Sequence, residues 1–271
     1  MKLGIKIDSP KQYDSWLAAA GFFTPDYLIC GPKMIRENDS PIANSFFHYL
    51  PTASNSFLAK LARKNPENFK DKALNLTLER LNELSAEDKR KTTFVVFNEV
   101  FDIYNVLRPY LDMEFFKKVL VEIKKTGVKT VFNEHRLITL FLARQKKLTQ
   151  ILEPLIKEGL IDYVGIQLWD EGNPLNNYHF ILSLLLQLFE RIGAKVIISE
   201  MGVYIKDKEK QAIRTENHLQ FFKQEKIEMV GYWWVRDGKH TNMPGRNWED
   251  NPGLYTENWE PKPILEALSK Y

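Results

Sequence analysis

Apolar runs rich in β-branched and aromatic residues recur every thirty-odd residues through the last two-thirds of this chain. They are expected to end as strands at Asn98, Glu134, Leu168, Glu200 and Trp234, with helical patterns between them. Short runs of this kind are the signal of buried strands, and a strand plus a helix at that period means βαβ units and a parallel sheet. The clearest are Phe94-Val95-Val96-Phe97-Asn98-Glu99-Val100 and Lys195-Val196-Ile197-Ile198-Ser199-Glu200. At 271 residues the chain has close to the usual size of a (β/α)8 TIM barrel, so the expectation is one barrel domain over residues 1–271. The competing architecture is an open doubly wound sheet, which would ordinarily bind phosphate groups at a Gly-rich loop; none follows any of these strands.

The N-terminal third is less regular. Residues 3–8 and 27–31 read as strands around a helix at 10–20, and 56–64 and 66–84 read as helices. The barrel's third strand falls on Ile42 to His48, an apolar-aromatic patch among Pro32, Pro41 and Pro51, and is expected to be irregular or missing. Further on, Asp112, Asn177 and Asp207 stand where helix N-caps belong, and Gly127 and Gly193 where helices stop. A helix at 137–158 is expected to break near Pro154.

Charge and cysteine usage narrow the classes. The 38 basic and 35 acidic residues leave a net charge of +3, too small an excess to point to nucleic acid or an anionic membrane. No run approaches the length of a membrane-spanning helix. The single cysteine, Cys30, can form no internal disulfide and sits among apolar neighbours. No leader pattern is visible at Met1 to Pro10, so the expectation is a cytoplasmic chain or a mature secreted form, and a monomer. The histidines His48, His135, His179, His218 and His240 show no metal-ligand spacing, and neither metal nor cofactor is expected. His218 lies on a helical pattern and is expected to face solvent; His135 is expected at a cleft or in a structural hydrogen bond.

The chemistry-bearing residues sit at strand ends, where a parallel barrel keeps its active site. One glutamate after a strand is more often the first polar residue of a loop. Two of them, Glu99 and Glu200, each closing a strongly apolar strand, suit glycoside hydrolysis, which needs one carboxylic acid and one nucleophile or base. Asn98 adds a donor suited to a sugar 2-hydroxyl. Trp233 and Trp234 are adjacent on a strand and should point to opposite sides. Trp169, Trp248 and Trp259 lie in or near loops after strands, where aromatic rings can stack on sugar faces. Asp170-Glu171 and Arg236-Asp237 read equally as solvated loop charges and as substrate contacts.

Six stretches then occur in one order: Phe97-Asn98-Glu99-Val100, Phe132-Asn133-Glu134, Asp162-Tyr163-Val164-Gly165-Ile166-Gln167, Ile198-Ser199-Glu200-Met201, Tyr232-Trp233-Trp234-Val235-Arg236-Asp237, and Leu254-Tyr255-Thr256-Glu257-Asn258-Trp259-Glu260-Pro261-Lys262-Pro263. In this the chain resembles glycoside hydrolase family 10, the retaining endo-β-1,4-xylanases, from about Pro66 to Tyr271. The resemblance implies a (β/α)8 barrel with Glu99 as acid/base on the fourth strand and Glu200 as nucleophile on the seventh. It implies Asn98 on the sugar 2-hydroxyl, Gln167 in the site and Trp233 as a wall beside the cleavage point. His48, within Phe47-His48-Tyr49-Leu50-Pro51, resembles the family's third-strand signature. The chain departs from the pattern at several positions: Trp169 stands where the family carries a His bonded to the nucleophile, Gly202 where it carries an Asp, Asn133-Glu134-His135 where it carries Asn-Asp-Tyr, and the Lys of its second-strand region has no clear match. Trp169 is expected to fill the space beside Glu200 and leave that carboxylate with fewer hydrogen bonds. The implied function is a retaining hydrolase of β-1,4-linked polysaccharide, xylan first. The alternatives are a catalytically silent barrel that binds carbohydrate or a protein partner, and a glycosidase for another β-glycan.

Overall fold

A computed structural model describes residues 1–6, 27–29, 57–82, 84–100, 108–134, 137, 141–172, 177–238 and 252–271. His48, His135, Trp16, Trp248, Cys30 and the proposed third strand at 42–48 lie outside them. Seven strands are described: β1 Lys2–Lys6, β2 Tyr27–Ile29, β3 Thr93–Asn98, β4 Lys129–Glu134, β5 Tyr163–Asp170, β6 Val196–Val203 and β7 Met229–Tyr232. Helices α1 Phe57–Lys64, α2 Pro66–Asn82 and α3 Ala86–Lys91 precede β3, and α4 Met113–Lys124 links β3 to β4. Then come α5 Phe141–Lys157, α6 Tyr178–Arg191, α7 Lys208–Gln224 and the closing α8 Ile264–Ser269.

The strands form one sheet in the order β2-β1-β7-β6-β5-β4-β3, and every pairing is parallel. The order never reverses, as it would in a doubly wound sheet, and the first strand pairs with the last. This is the cyclic order of a parallel barrel.

Both faces of the strands are covered, which is why their sequences read as apolar runs without alternation. Thr93 to Phe97 are all buried, and so are Ile197, Ile198 and Met201 on β6. Helix α4 shows how a helix is fastened to the sheet. Asp112 caps it by accepting from Phe115 N at 2.8 Å, and Phe115 and Phe116 then pack on Phe97, the closer pair of rings 4.7 Å apart and edge to face. Asn177 and Asp207 cap α6 and α7 in the same way.

Several boundaries differ from the sequence reading. Helix α5 runs through Pro154 without a break; Leu148, Leu152 and Leu155 are buried along it, and their packing offsets the roughly 3 kcal/mol a proline costs inside a helix. Strands β5 and β6 continue past Leu168 and Glu200 to Asp170 and Val203, while β7 stops at Tyr232. The six-residue α3, capped by Ser85, is too short to leave a periodic signal.

Candidate active site

All the described strands are parallel, so their carboxyl ends meet at one end of the barrel. Asn98 and Glu99 come from β3, Asn133 from β4, Gln167 and Trp169 from β5, Ser199 and Glu200 from β6, and Trp233 follows β7. Two local irregularities aim these side chains. Ile166 pairs with Ile198 but Gln167 pairs with Glu200, so Ser199 is an extra residue on β6. This bulge breaks the in–out alternation of the strand and lets Ser199 and Glu200, adjacent in sequence, both reach Asn133. On β3 the extra residue is Val96. Glu99 then takes a left-handed backbone, φ 54°, while its N–H still bonds Asn133 O at 2.9 Å. A non-glycine residue in that region is uncommon and costs conformational energy. Here it ends β3 and turns the chain directly after Asn98.

Two amides, Asn133 and Gln167, hold the two carboxyl groups, and the Asn98 oxygen accepts from both amides. Asn133 Nδ2 donates to Glu200 Oε1 at 2.9 Å and to Asn98 Oδ1 at 2.7 Å. Gln167 Nε2 donates to Glu99 Oε1 at 2.9 Å and to Glu200 Oε1 at 3.0 Å, with Asn98 Oδ1 a longer 3.3 Å away. Each bridging amide has its oxygen tied to a dedicated donor: the Ser199 hydroxyl for Asn133 Oδ1, and Trp169 Nε1 at 3.0 Å for Gln167 Oε1. Asn98 Oδ1 is an acceptor in this network, so its own NH2 faces the other way.

Asn133, Gln167, Ser199 and Glu200 are buried, whereas Asn98 and Glu99 are half-exposed. Glu200 thus lies at the floor and Glu99 at the rim. The Trp169 indole N–H goes to Gln167 and not to Glu200, whose Oε1 accepts its two amide bonds from Asn133 and Gln167. Trp169 and Trp233 meet edge to face with ring centres 6.2 Å apart, and Trp234 Nε1 donates to the Tyr204 hydroxyl at 2.7 Å.

Other polar residues at this end serve the scaffold. Asp170 is the last residue of β5 and fully buried, bonded to Arg214 Nε and to His218 Nε2, both on α7, and to Gly172 N. His218 is therefore buried, not solvent-facing, and its Nδ1 lies 2.9 Å from His179 Nε2 of α6. Asp237 is likewise buried, paired with Lys262 Nζ at 3.1 Å. Among the described residues no group of three His, Cys, Asp or Glu could hold a metal ion, and no helix is long and apolar enough to cross a membrane. Asn133 and Ser199 are the site residues that sequence reasoning did not single out. The available signal was the repeat of Asn98-Glu99 as Asn133-Glu134, an amide at the end of an apolar run.

Residues 121–271 match the family model for glycosyl hydrolase family 10, a stretch that holds Gln167, Trp169, Glu200 and Trp233. None of the curated protein sequences compared matches the chain. Among solved structures, a family 10 endoxylanase from a sugarcane soil metagenome is 14% identical, with a TM-score of 0.77, covering 100% of this chain and 97% of that one. Xylanase 10B from Thermotoga maritima is 16% identical, with a TM-score of 0.74 and coverages of 100% and 94%. A Clostridium thermocellum endo-1,4-β-D-xylanase complexed with xylohexaose is 16% identical, with a TM-score of 0.68 and coverages of 99% and 65%. These likenesses extend over β3 and its Asn98-Glu99 end as well, and they make the fold a (β/α)8 barrel. The chain belongs to glycosyl hydrolase family 10.

Proposed function

We propose that the chain is a retaining endo-hydrolase of β-1,4-linked polysaccharide, with xylan as its substrate, and that residues 1–271 form one catalytic domain. The observation that carries this reading is the Gln167 nitrogen shared by Glu99 and Glu200. Its two bonds keep the facing oxygens within about 6 Å of each other, which supports the retaining separation of about 5–5.5 Å over the inverting one of about 6.5–9.5 Å. The choice of xylan is supported by the family and by the xylohexaose held by the Clostridium thermocellum relative.

In this mechanism the buried Glu200 carboxylate attacks the anomeric carbon while Glu99, at the rim, gives its proton to the glycosidic oxygen. The C–O bond breaks, the leaving sugar departs as an alcohol, and a glycosyl ester forms on Glu200. Glu99, now a carboxylate, takes a proton from water as that water attacks the same carbon and releases Glu200. Two inversions give net retention. Asn98, with its NH2 directed away from the amide network, donates to the sugar 2-hydroxyl. Trp233 walls the subsite beside the cleavage point.

The test uses an activated aryl β-xyloside. Glu200→Ala should be inactive and be partly rescued by azide, giving the inverted glycosyl azide. Glu99→Ala with azide should give the retained product. An inverted sugar as the first product of the unmodified protein overturns the assignment of Glu200, and binding without turnover makes the barrel a silent carbohydrate binder.

A further inference from the structure

Gln167 and Trp169 are two residues apart on β5, and so are Glu200 and Gly202 on β6; side chains two apart on a strand share a face. The register pairs Gln167 with Glu200 and, two residues further along, Trp169 with Gly202. The second pair is an exchange of volume. A Cβ at Gly202 would stand 2.9 Å from Trp169 Cζ3 and 3.0 Å from Cε3, so the glycine is there for space; the ring lies where a side chain at 202 would begin. Tyr204 and Trp233 hold the indole from other directions, at ring-centre distances of 6.0 and 6.2 Å.

So placed, the indole presents its N–H to Gln167 Oε1 at 3.0 Å. An indole nitrogen is a donor only, whereas a carboxamide has one oxygen to accept and one nitrogen to donate. We infer that Trp169, seated in the space left by Gly202, is the residue that orients the Gln167 amide so that it presents only donors to Glu99 and Glu200. The consequence bears on the acid. With its oxygen held by Trp169, Gln167 cannot turn over to accept the Glu99 proton. That proton is left to the other carboxyl oxygen and to the glycosidic oxygen of the substrate. Trp169 is thus a positioning residue, acting through Gln167. This inference rests on the hydrolase reading for its effect on rate, but not for its geometry.

The test starts with Trp169→Phe, which keeps a ring over Gly202 and removes the N–H. Its kcat should fall about tenfold or more while KM stays within about twofold, the signature of an interaction that matters in the transition state. Added to Gln167→Ala, the same change should lower kcat by less than about twofold, since the residue it acts through is already gone. Losses that multiply independently, or wild-type kcat in Trp169→Phe, overturn the inference. A second readout needs no turnover. The Trp169 indole proton, identified as the signal missing from Trp169→Phe, should exchange slowly in the unmodified protein and faster in Gln167→Ala. Equal exchange in the two overturns it as well. If the unmodified protein hydrolyses no aryl β-glycoside yet the exchange difference is present, the hydrolase reading fails and the orienting contact stands.

Discussion

Asn133 gives one amide hydrogen to Glu200 at 2.9 Å and the other to Asn98 at 2.7 Å, so both hydrogens of this buried side chain are spent on the site. Hydrogen bonds to charged groups contribute about 1.5–3 kcal/mol, so Asn133→Ala should lower kcat/KM by about 10- to 150-fold. Ser199→Ala should lower it less, because Asn133 keeps its donors and loses only the hydroxyl on Oδ1. Steady-state kinetics on an aryl β-xyloside checks the order; a Ser199→Ala loss as large as that of Asn133→Ala counts against it.

Gly165 should act through the same residue. A Cβ there would lie 2.6 Å from Asn133 Oδ1 and 2.9 Å from Ser199 Oγ. Gly165→Ala is expected to push Asn133 away and reproduce the kinetic loss of Asn133→Ala. The two changes combined should cost little more than either alone, because neighbours that share a partner are not additive. A fully multiplicative double variant would disprove the link.

Acid should loosen the β5–α6–α7 corner. Burial lowers the His179 pKa from 6.5 to about 4, with repulsion from His218 and Arg214 adding to it, and Asp170 opposing. Asp170, despite the burial that raises it, is held below its ordinary value by His218 and Arg214. Both groups bind fewer protons folded than unfolded. The His179 contribution is therefore present above pH 6.5 and lost as pH falls toward about 4, and that of Asp170 goes at lower pH. The His179 ring is half-exposed and screened by water, leaving on the order of 1 kcal/mol, or about 2–4 °C in Tm. Thermal unfolding should show this decline from pH 7 to 4, flattened in His179→Gln. Identical slopes in the two proteins would refute it.

The Asp237–Lys262 pair should be strongly asymmetric to mutation. Burial raises the Asp237 pKa more than Lys262 lowers it, and burial lowers that of Lys262. Desolvation therefore dominates both partners, and the pair's value lies in not leaving a lone charge. Lys262→Met should destabilise by about 3–5 kcal/mol, and Asp237→Asn with Lys262→Met should recover much of that. Denaturant unfolding gives both values; equal losses would show that the ion pair is not the source. The pair matters because Asp237 also takes Gly253 N at 2.7 Å, fastening the segment after β7 to the C-terminal one.

The barrel was legible because parallel strands buried on both faces leave unmistakable apolar runs, and because Glu99 and Glu200 each close one. Aim was not legible. The extra residue at Ser199 and the left-handed backbone at Glu99 leave no mark in hydrophobic patterning, yet they decide which side chains meet. His218 misled because a polar residue on a helix reads as exposed until Asp170, distant in sequence, is found beside it. Pro154 misled because tertiary packing outweighs a local propensity.

The pairing of β1 with β7 sets Lys2 against Met229 and Ile5 against Tyr232. Contacts between such distant points of a chain carry the largest loop-closure entropy and slow folding. During synthesis β1 emerges long before β7, the second of its two neighbours in the sheet. Until then it is an unpaired edge carrying Leu3 and Ile5, open to pairing with another nascent chain. The circularity that gathers the site at one end of the barrel therefore makes ring closure a late step, and leaves truncated chains prone to aggregate.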